Sequence, residues 1–585
     1  MYPTGLAESS TSVSQFFKKN GVMEILVCFV TALAYLGTLA FGFVYDDKPV
    51  IVDNAGIRSW QFVAHSFVPG FSPSVSGLAE GTFYRPITAV WMRLNYAAFG
   101  LNPAGWHFAM LAGHVLMTYL VFALVQRLTG NRNTGAIAAV FFGLHPVHVE
   151  NVAWLSSVND LLMSLLLLGS FLAYLRFREG RKVWMGASVL LFAMALLSKE
   201  TAAVFPLLIL NFAILFAYSP GGNEKLSSAI KQGFVSLPYF GVLVAYLAVR
   251  SSTFYRLLGP INNVSWSTMF LTWPSVMWFD LKHLLLPVSS SEFYSLAYVT
   301  APDFKNFVLP VFFLLVALMA TGYGISKLPD VRLGVFAFLW LGLPVLPTLY
   351  LRAVAPDNFV HDRFLYLPSV GIVILITLAL WPLFTRRPGS GGVAGWAVVA
   401  VFCGAAFAAT VSHQMQWANN LLLYRNGIAS APENLVVRDN LANEFANAGD
   451  FNSAIPLYLS VLQRDPRFWM ANYNLGYAYF RSGRLDEAAN YLKRAIQIDD
   501  RDPDQFMLLA RTQMQQGKLA QAAQNAQRAL QRAPQSPGFH FVLAKILEDS
   551  GQRDKAIAEY RTEVLAHPEN GLARSELQRI QLSQQ

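Results

Sequence analysis

Residues 22–47 read VMEILVCFVTALAYLGTLAFGFVYDD. The run Val22 to Val44 is apolar and long enough to cross a bilayer, which takes roughly 20 apolar residues, and it gives out at Tyr45-Asp46-Asp47. Two adjacent carboxylates at the end of a membrane helix are costly. They need cations, hydrogen bonds or water, which makes them candidates for function. The polar stretch 1–21 lacks an apolar core followed by a small-residue cleavage site, so 22–44 reads as an uncleaved span behind a cytoplasmic N-terminal segment.

Composition extends this reading to the whole chain. Of 585 residues, 54% are hydrophobic and 14% charged, with a mean hydropathy of +0.38. That balance fits a polytopic membrane protein. The net charge of +9 does not indicate nucleic acid, because many of the basic residues sit in short loops between apolar spans, where they orient helices in the bilayer. The two cysteines, Cys28 and Cys403, lie inside apolar runs and exclude a disulfide framework or a thiolate metal site.

Eleven spans are expected, at 22–44, 106–126, 134–150, 158–177, 183–198, 201–218, 233–250, 304–326, 333–351, 365–384 and 393–412. Lys18 and Lys19, Arg127 and Arg132, Arg176 to Lys182, Lys225 and Lys231, Lys327 and Arg332, and Arg386 and Arg387 all fall on one side of that arrangement. The positive-inside rule makes that side cytoplasmic. Residues 267–286 carry Asp280, Lys282 and His283 and read either as an interfacial or re-entrant helix giving a lipid tail lateral access, or as an imperfect span. The unusual polar residues then collect outside. They are the loop 45–105 with Asp46, Asp47 and Phe83-Tyr84-Arg85-Pro86, the turn His145-Pro146-Val147-His148-Val149-Glu150, the turn Ser198-Lys199-Glu200-Thr201, and the turn carrying Asp357, His361, Asp362 and Arg363.

From about Glu433 the chain repeats every 34 residues. Gly449, Gly483, Gly517 and Gly551 form one column, Ala454, Ala488, Ala522 and Ala556 a second, and Leu441, Leu475, Leu509 and Leu543 a third. This is the tetratricopeptide pattern of helix-turn-helix units. Four repeats and a solvating cap helix are expected over 433–585, joined to the membrane domain 22–412 by an interfacial linker, 413–432, anchored by Trp417, Tyr424 and Arg425. The expected fold class is all-α, a polytopic helical domain followed by an α-solenoid.

The ordered set resembles a known family. A first-loop carboxylate pair, Arg85-Pro86 entering a helix, His145-Pro146-x-His148-x-Glu150, Lys199-Glu200-Thr201, Arg363-Phe364-Leu365-Tyr366-Leu367-Pro368-Ser369 and C-terminal repeats occur together. The chain resembles the transmembrane-and-tetratricopeptide-repeat proteins, relatives of the protein O-mannosyltransferases in the GT-C glycosyltransferase class. The resemblance implies a GT-C-like membrane domain. It implies transfer of a sugar, mannose or another hexose, from a polyprenyl-phosphate donor to Ser/Thr hydroxyls of exported proteins, with inversion. An acidic residue of the first loop then acts as general base, here Asp46 or Asp47 with Asp47 preferred. A carboxylate so placed accepts the hydroxyl proton as the sugar carbon is attacked. The alternative for the pair is an amide cap at the start of the loop.

Arg85, Arg363, Lys199 and Tyr84 are the donor-phosphate candidates, because guanidinium and ammonium groups stabilise a departing phosphate. Pro86 opens a helix over Ile87 to Phe99. His148, Glu150, Asp160 and Glu200 are supporting acidic or sugar-binding candidates. The bland reading of Lys199 and Glu200 is a self-neutralising pair. A divalent cation, Mg²⁺ or Mn²⁺, is the cofactor left open, through Asp46, Asp47 and Glu150. Asn440 and Asn474 share one repeat position and are the candidates for binding an acceptor peptide in the solenoid groove. Trp469, Tyr473, Tyr477 and Tyr479 serve inter-helix packing, with at least one turned into that groove. The expected partners are the lipid-linked sugar, an acceptor protein or peptide, and membrane lipids, with no nucleic acid. The expected location is a bacterial inner membrane with periplasmic repeats, or the endoplasmic reticulum membrane in a eukaryote. The competing class is a non-enzymatic anchored scaffold for secretion, pilus or polysaccharide assembly, for which one span would suffice.

Overall fold

The computed structural model describes residues 21–68, 84–217, 232–253, 264–354, 358–385 and 390–582. Phe83, Asp357 and the orienting residues Lys18, Lys19, Lys225, Lys231, Arg386 and Arg387 lie outside them. The described residues are helical with no strand, as a chain must be when lipid offers its backbone no hydrogen-bond partner. Two units separate, Met1–Ala431 and Pro432–Gln585.

Among the described residues of the first unit seven helices are long and apolar enough to cross a membrane: Val22–Ala40, Pro103–Thr129, Leu155–Arg178, Phe234–Ser251, Phe304–Ser326, Val331–Leu349 and Gly395–Ala418. The pair Arg132–Gly143 and Pro146–Ala153, bent by 52°, makes an eighth if counted as one span. Val183–Leu196, Glu200–Leu215 and Pro368–Leu380 are apolar but shorter. Every expected span thus coincides with an apolar helix, and three of the eleven are too short to cross alone. The segment 267–286 is one helix, Trp266–Leu285, with Pro274 inside it, and it is not among the helices apolar enough to cross.

The helices meet where small residues let them. A Cβ on Gly143 would lie 2.1 Å from Thr31 Oγ1 and 3.0 Å from Thr118 Cγ2, so three helices converge at that glycine. A Cβ on Gly371 would lie 2.4 Å from the Leu341 backbone nitrogen, so helix Pro368–Leu380 crosses helix Val331–Gly342 backbone against backbone. Only 6% of Phe304–Ser326 is buried, which leaves it facing outward, as a lipid-contacting helix does.

Helix ends sort the charges. Asp160 stands in the first turn of Val158–Arg178, and Arg176 and Arg178 in the last. Eighteen residues of helix separate Asp160 from Arg178, roughly 27 Å at 1.5 Å per residue. Arg127 pairs with Glu179 at 3.7 Å, so the ends of Pro103–Thr129 and Val158–Arg178 come together on the basic side.

The second unit is four helix pairs and a cap. The pairs are Leu435–Asn447 with Phe451–Arg464, Trp469–Arg481 with Leu485–Ile498, Pro503–Gln515 with Leu519–Arg532, and Phe539–Asp549 with Arg553–Ala566. Helix Gly571–Leu582 closes the stack. The glycine column has φ between +74° and +80°, a backbone region open to glycine, and the alanine column is fully buried.

Candidate active site

The carboxylate pair sits in a turn with an unusual backbone. Tyr45 has φ +52°, the single non-glycine positive φ among the described residues. Strain of that kind persists only where the surroundings over-determine it, and here they do. Tyr45 N donates to Asn420 Oδ1 at 2.8 Å, and its ring meets Trp154, Phe293 and Tyr424 at 5.8, 5.8 and 6.4 Å. Asp47 pins the turn from the other side. Its Oδ2 accepts from Val44 N at 3.1 Å, and its Oδ1 accepts from Ser156 N at 2.9 Å and Ser156 Oγ at 2.7 Å. Burial pushes the Asp47 carboxyl up to about 7 against those hydrogen bonds.

This corrects the preference for Asp47 as base. Both its oxygens are spent on structure and the residue is fully buried. Asp46 is partly exposed and its carboxylate accepts no hydrogen bond among the described residues. Burial raises its pKa and Arg363 pulls it back down, so it feels a cation's charge without being paired.

Arg363 is the hub. Its backbone N donates to Glu150 Oε2 at 3.1 Å. Its Nη1 contacts Glu150 Oε1 and donates to Glu292 Oε2 at 3.0 Å. Its guanidinium lies 5.0 Å from the centre of the Trp154 ring and 5.3 Å from that of Phe364. Burial raises Glu292 well above the usual carboxylate range, with Arg363 opposing. Burial, aided by Glu150, does the same to Asp362, which accepts from Ser290 Oγ and Tyr294 Oη at 2.9 Å.

Lys199 is held by both oxygens of Asp160 at 2.6 Å, and its Nζ is 5.1 Å from the Phe364 ring centre. Lys199 and Arg363 therefore flank one ring, and both line a cleft with Asp160, Thr201, Thr348 and Phe364.

Other expectations change. Arg85 is not free for phosphate: Nε donates to Glu200 Oε2 at 3.3 Å and Nη2 to Oε1 at 2.9 Å, with Arg250 at 3.7 Å from the same carboxylate. This also removes the Lys199–Glu200 pair, since Lys199 turns to Asp160 and Glu200 to Arg85. Tyr84 donates to the Phe67 carbonyl at 3.1 Å. Pro86 does open a helix, Pro86–Phe99. His148 is fully buried, its Nε2 2.9 Å from Ser369 Oγ and its ring among Phe142, His114 and Tyr366; a sugar cannot reach it. Glu150 groups with Glu292 and His361, not with Asp46 and Asp47. Trp417 is no interfacial anchor. It is fully buried and stacks on Trp154 at 5.5 Å and 13°. In the repeats, Asn474 Nδ2 is tied to Asp439 Oδ2 at 2.9 Å, and Asn440 is half-buried. The groove, about 500 Å³, is lined instead by Tyr473, Tyr477, Met507, Arg511, Phe541 and Lys545.

Sequence reasoning missed Glu292, Ser156 and Arg250. Glu292 offered a signal: a lone carboxylate behind Ser289-Ser290-Ser291 in an aromatic stretch.

Residues 85–250 match the family model described as dolichyl-phosphate-mannose-protein mannosyltransferase, a segment that contains Arg85, Glu150, Asp160, Lys199 and Glu200. Residues 440–504 and 513–580 match tetratricopeptide-repeat models. Mouse protein O-mannosyl-transferase TMTC3 is 24% identical over 501 residues, 80% of this chain and 54% of that protein. The chain is similar to the transmembrane-and-tetratricopeptide-repeat proteins related to the protein O-mannosyltransferases. Human protein O-mannosyl-transferase TMTC1 is 27% identical over 513 residues, 77% of this chain and 56% of that protein. The fruit-fly (Drosophila melanogaster) protein Tmtc1 of the same designation reaches 34% over 206 residues, 34% of this chain and 23% of that protein. The chain spans about half the length of these first two relatives. Among solved structures, MamA is similar over 25% of this chain and 84% of its own, at 22% identity and a TM-score of 0.24.

Proposed function

We propose that the chain is an integral-membrane glycosyltransferase. It moves a sugar, mannose or another hexose, from a polyprenyl-phosphate donor to a Ser or Thr hydroxyl of an exported protein. Asp46 takes the hydroxyl proton as the oxygen attacks the anomeric carbon. The bond from that carbon to the phosphate oxygen breaks, the electron pair leaves with the phosphate, and the anomeric centre inverts. Lys199 and Arg363 stabilise the charge that develops on the leaving group. The acceptor peptide is held by the concave face of the repeats.

One observation carries the reading: an unbonded carboxylate at a strained turn lies within electrostatic reach of Arg363, and Arg363 shares its cleft with Lys199. The orientation also fits. Asp160 and Lys199 stand at the helix ends opposite Arg127, Arg176 and Arg178, and basic helix ends face the cytoplasm. The site then opens outside, at a bacterial inner membrane or on the luminal side of the endoplasmic reticulum. The test is intact-protein mass spectrometry of exported proteins from cells with wild-type chain, Asp46→Asn chain or none. A hexose-sized adduct should appear with the wild type alone. Equal adducts in all three would end the proposal.

A further inference from the structure

The transfer reading leaves one group in the pocket without a task. His361 is 4% exposed. Its Nε2 lies 3.2 Å from the Asn358 carbonyl, so the network assigns the ring proton to that nitrogen. Nδ1 is then an acceptor. It is buried without a hydrogen-bond partner among the described residues, and it faces Glu292 Oε1 at 3.6 Å. Two acceptors turned toward each other in a buried site repel unless something positive lies between them.

The second carboxylate is already there. One ligand atom each from Glu150, Glu292 and His361 lie within 4.8 Å of one another. Arg363 occupies one side of the pair, through Glu150 Oε1 and Glu292 Oε2, and leaves Glu292 Oε1 to His361 and to a long hydrogen bond from Asn358 Nδ2 at 3.4 Å. An imidazole that gives its far N–H to a backbone carbonyl is oriented as metal-bound histidines are. Once both carboxylates are ionised, as cation binding requires, one guanidinium leaves this part of the pocket one negative charge in excess.

We propose that Glu150, Glu292 and His361 bind one divalent transition-metal cation of the Mn²⁺ or Zn²⁺ class. One imidazole and two carboxylates suit these ions better than Mg²⁺, which prefers oxygen and keeps its waters. The cation would turn the local balance from one negative to one positive charge. On the transfer reading, that change makes the pocket attract a donor phosphate. Binding itself does not depend on that reading.

The test uses the full chain in detergent, stripped with chelator and titrated with Mn²⁺. Bound metal is followed by electron paramagnetic resonance and by elemental analysis, with Zn²⁺ in a parallel arm. Wild type should bind one ion per chain, and Mn²⁺ should raise its unfolding temperature. His361→Ala and Glu292→Gln should weaken binding by roughly tenfold or more and abolish the shift. Glu433→Gln, in the repeats, should change neither. His361→Cys guards against misfolding: it supplies a softer ligand and should move preference toward Zn²⁺. Sub-stoichiometric binding of both metals by wild type, or binding by His361→Ala equal to wild type, would overturn the site. Stoichiometric binding without any sugar transfer would count against the transfer reading and leave the cation site standing.

Discussion

Asp46 and Asp47 are neighbours in sequence and should respond oppositely to the same substitution. Asp47 accepts from Val44 N on one oxygen and from Ser156 N and Oγ on the other. Asparagine offers one oxygen and one amide, so Asp47→Asn sets an N–H against a backbone N–H on one side or the other. A buried donor left unpaired costs about 1–3 kcal/mol, and the unfolding temperature should fall accordingly. Asp46 carries no such load. Asp46→Asn removes a charge that burial already disfavours, so stability should stay within about 0.5 kcal/mol of wild type. Its effect should fall on chemistry, where losing a positioned base costs about 10²–10⁴-fold. The assay is mannose transfer from polyprenyl-phosphate mannose to an acceptor protein in purified membranes, with thermal unfolding of the same samples. A stable Asp46→Asn chain that transfers at the wild-type rate would refute the assignment. A fully stable Asp47→Asn chain would refute the structural role given to its neighbour.

Three further outcomes follow from other parts of the molecule. Arg85→Gln and Glu200→Gln should each destabilise the chain, with a coupling of about 1.5–3 kcal/mol in a double-mutant cycle, the range for a charged hydrogen-bonded pair; an Arg85→Gln chain of normal stability and weakened donor binding would return Arg85 to the phosphate. Asp439 is lifted from 3.8 to about 7 by burial, its Asn474 and Asn443 hydrogen bonds opposing. Between those values the folded chain holds a proton that the unfolded chain has lost, so stability of the first repeat should fall as pH rises from 4 to 7, by about 1.4 kcal/mol per unit at most. Asp439→Asn should flatten that slope, read by hydrogen exchange over 435–464 corrected for intrinsic rate. Gly371→Ala should cost about 1–3 kcal/mol by overpacking, seen as a lower unfolding temperature, because its new methyl meets the Leu341 backbone at 2.4 Å.

The repeats were legible because their period is exact and local: each glycine, alanine and leucine column reports a position that every unit needs for the same reason. The spans were legible because lipid demands long apolar runs, and the place of each helix follows from composition alone. The pairing of charges was not. Arg85, Lys199, Glu200 and Asp160 were all visible as site residues, yet sequence proximity suggested Lys199 with Glu200. The backbone turns between them, and each side chain finds a partner 39 or 115 positions away. Asp46 and Asp47 are indistinguishable as letters. Only the Ser156 helix start and the Val44 amide, brought to one of them by the turn, tell the cap from the free carboxylate. Glu292 was not legible as a site residue because its neighbours are aromatic. Its role arises from Arg363, which is 71 positions away.

Pairing also separates the cations that can hold a phosphate from those that cannot. Arg85 spends Nε and Nη2 on one carboxylate in side-on geometry, and Arg250 behind it is 3% exposed. A phosphate reaching them would have to break the pair first, at a cost set by two partly buried charges. Arg363 engages its carboxylates through Nη1 and the backbone N, and 17% of its side chain stays open. A guanidinium has five N–H donors and an ammonium three, so Nε and Nη2 of Arg363, and one N–H of Lys199 beyond the two taken by Asp160, remain for a ligand. At an effective dielectric of about 20, each cation 4 Å from a phosphate contributes about 4 kcal/mol of attraction. The carboxylates Glu150, Glu292 and Asp160 hold the cations in place between turnovers, and the donors left over are what a leaving phosphate would meet.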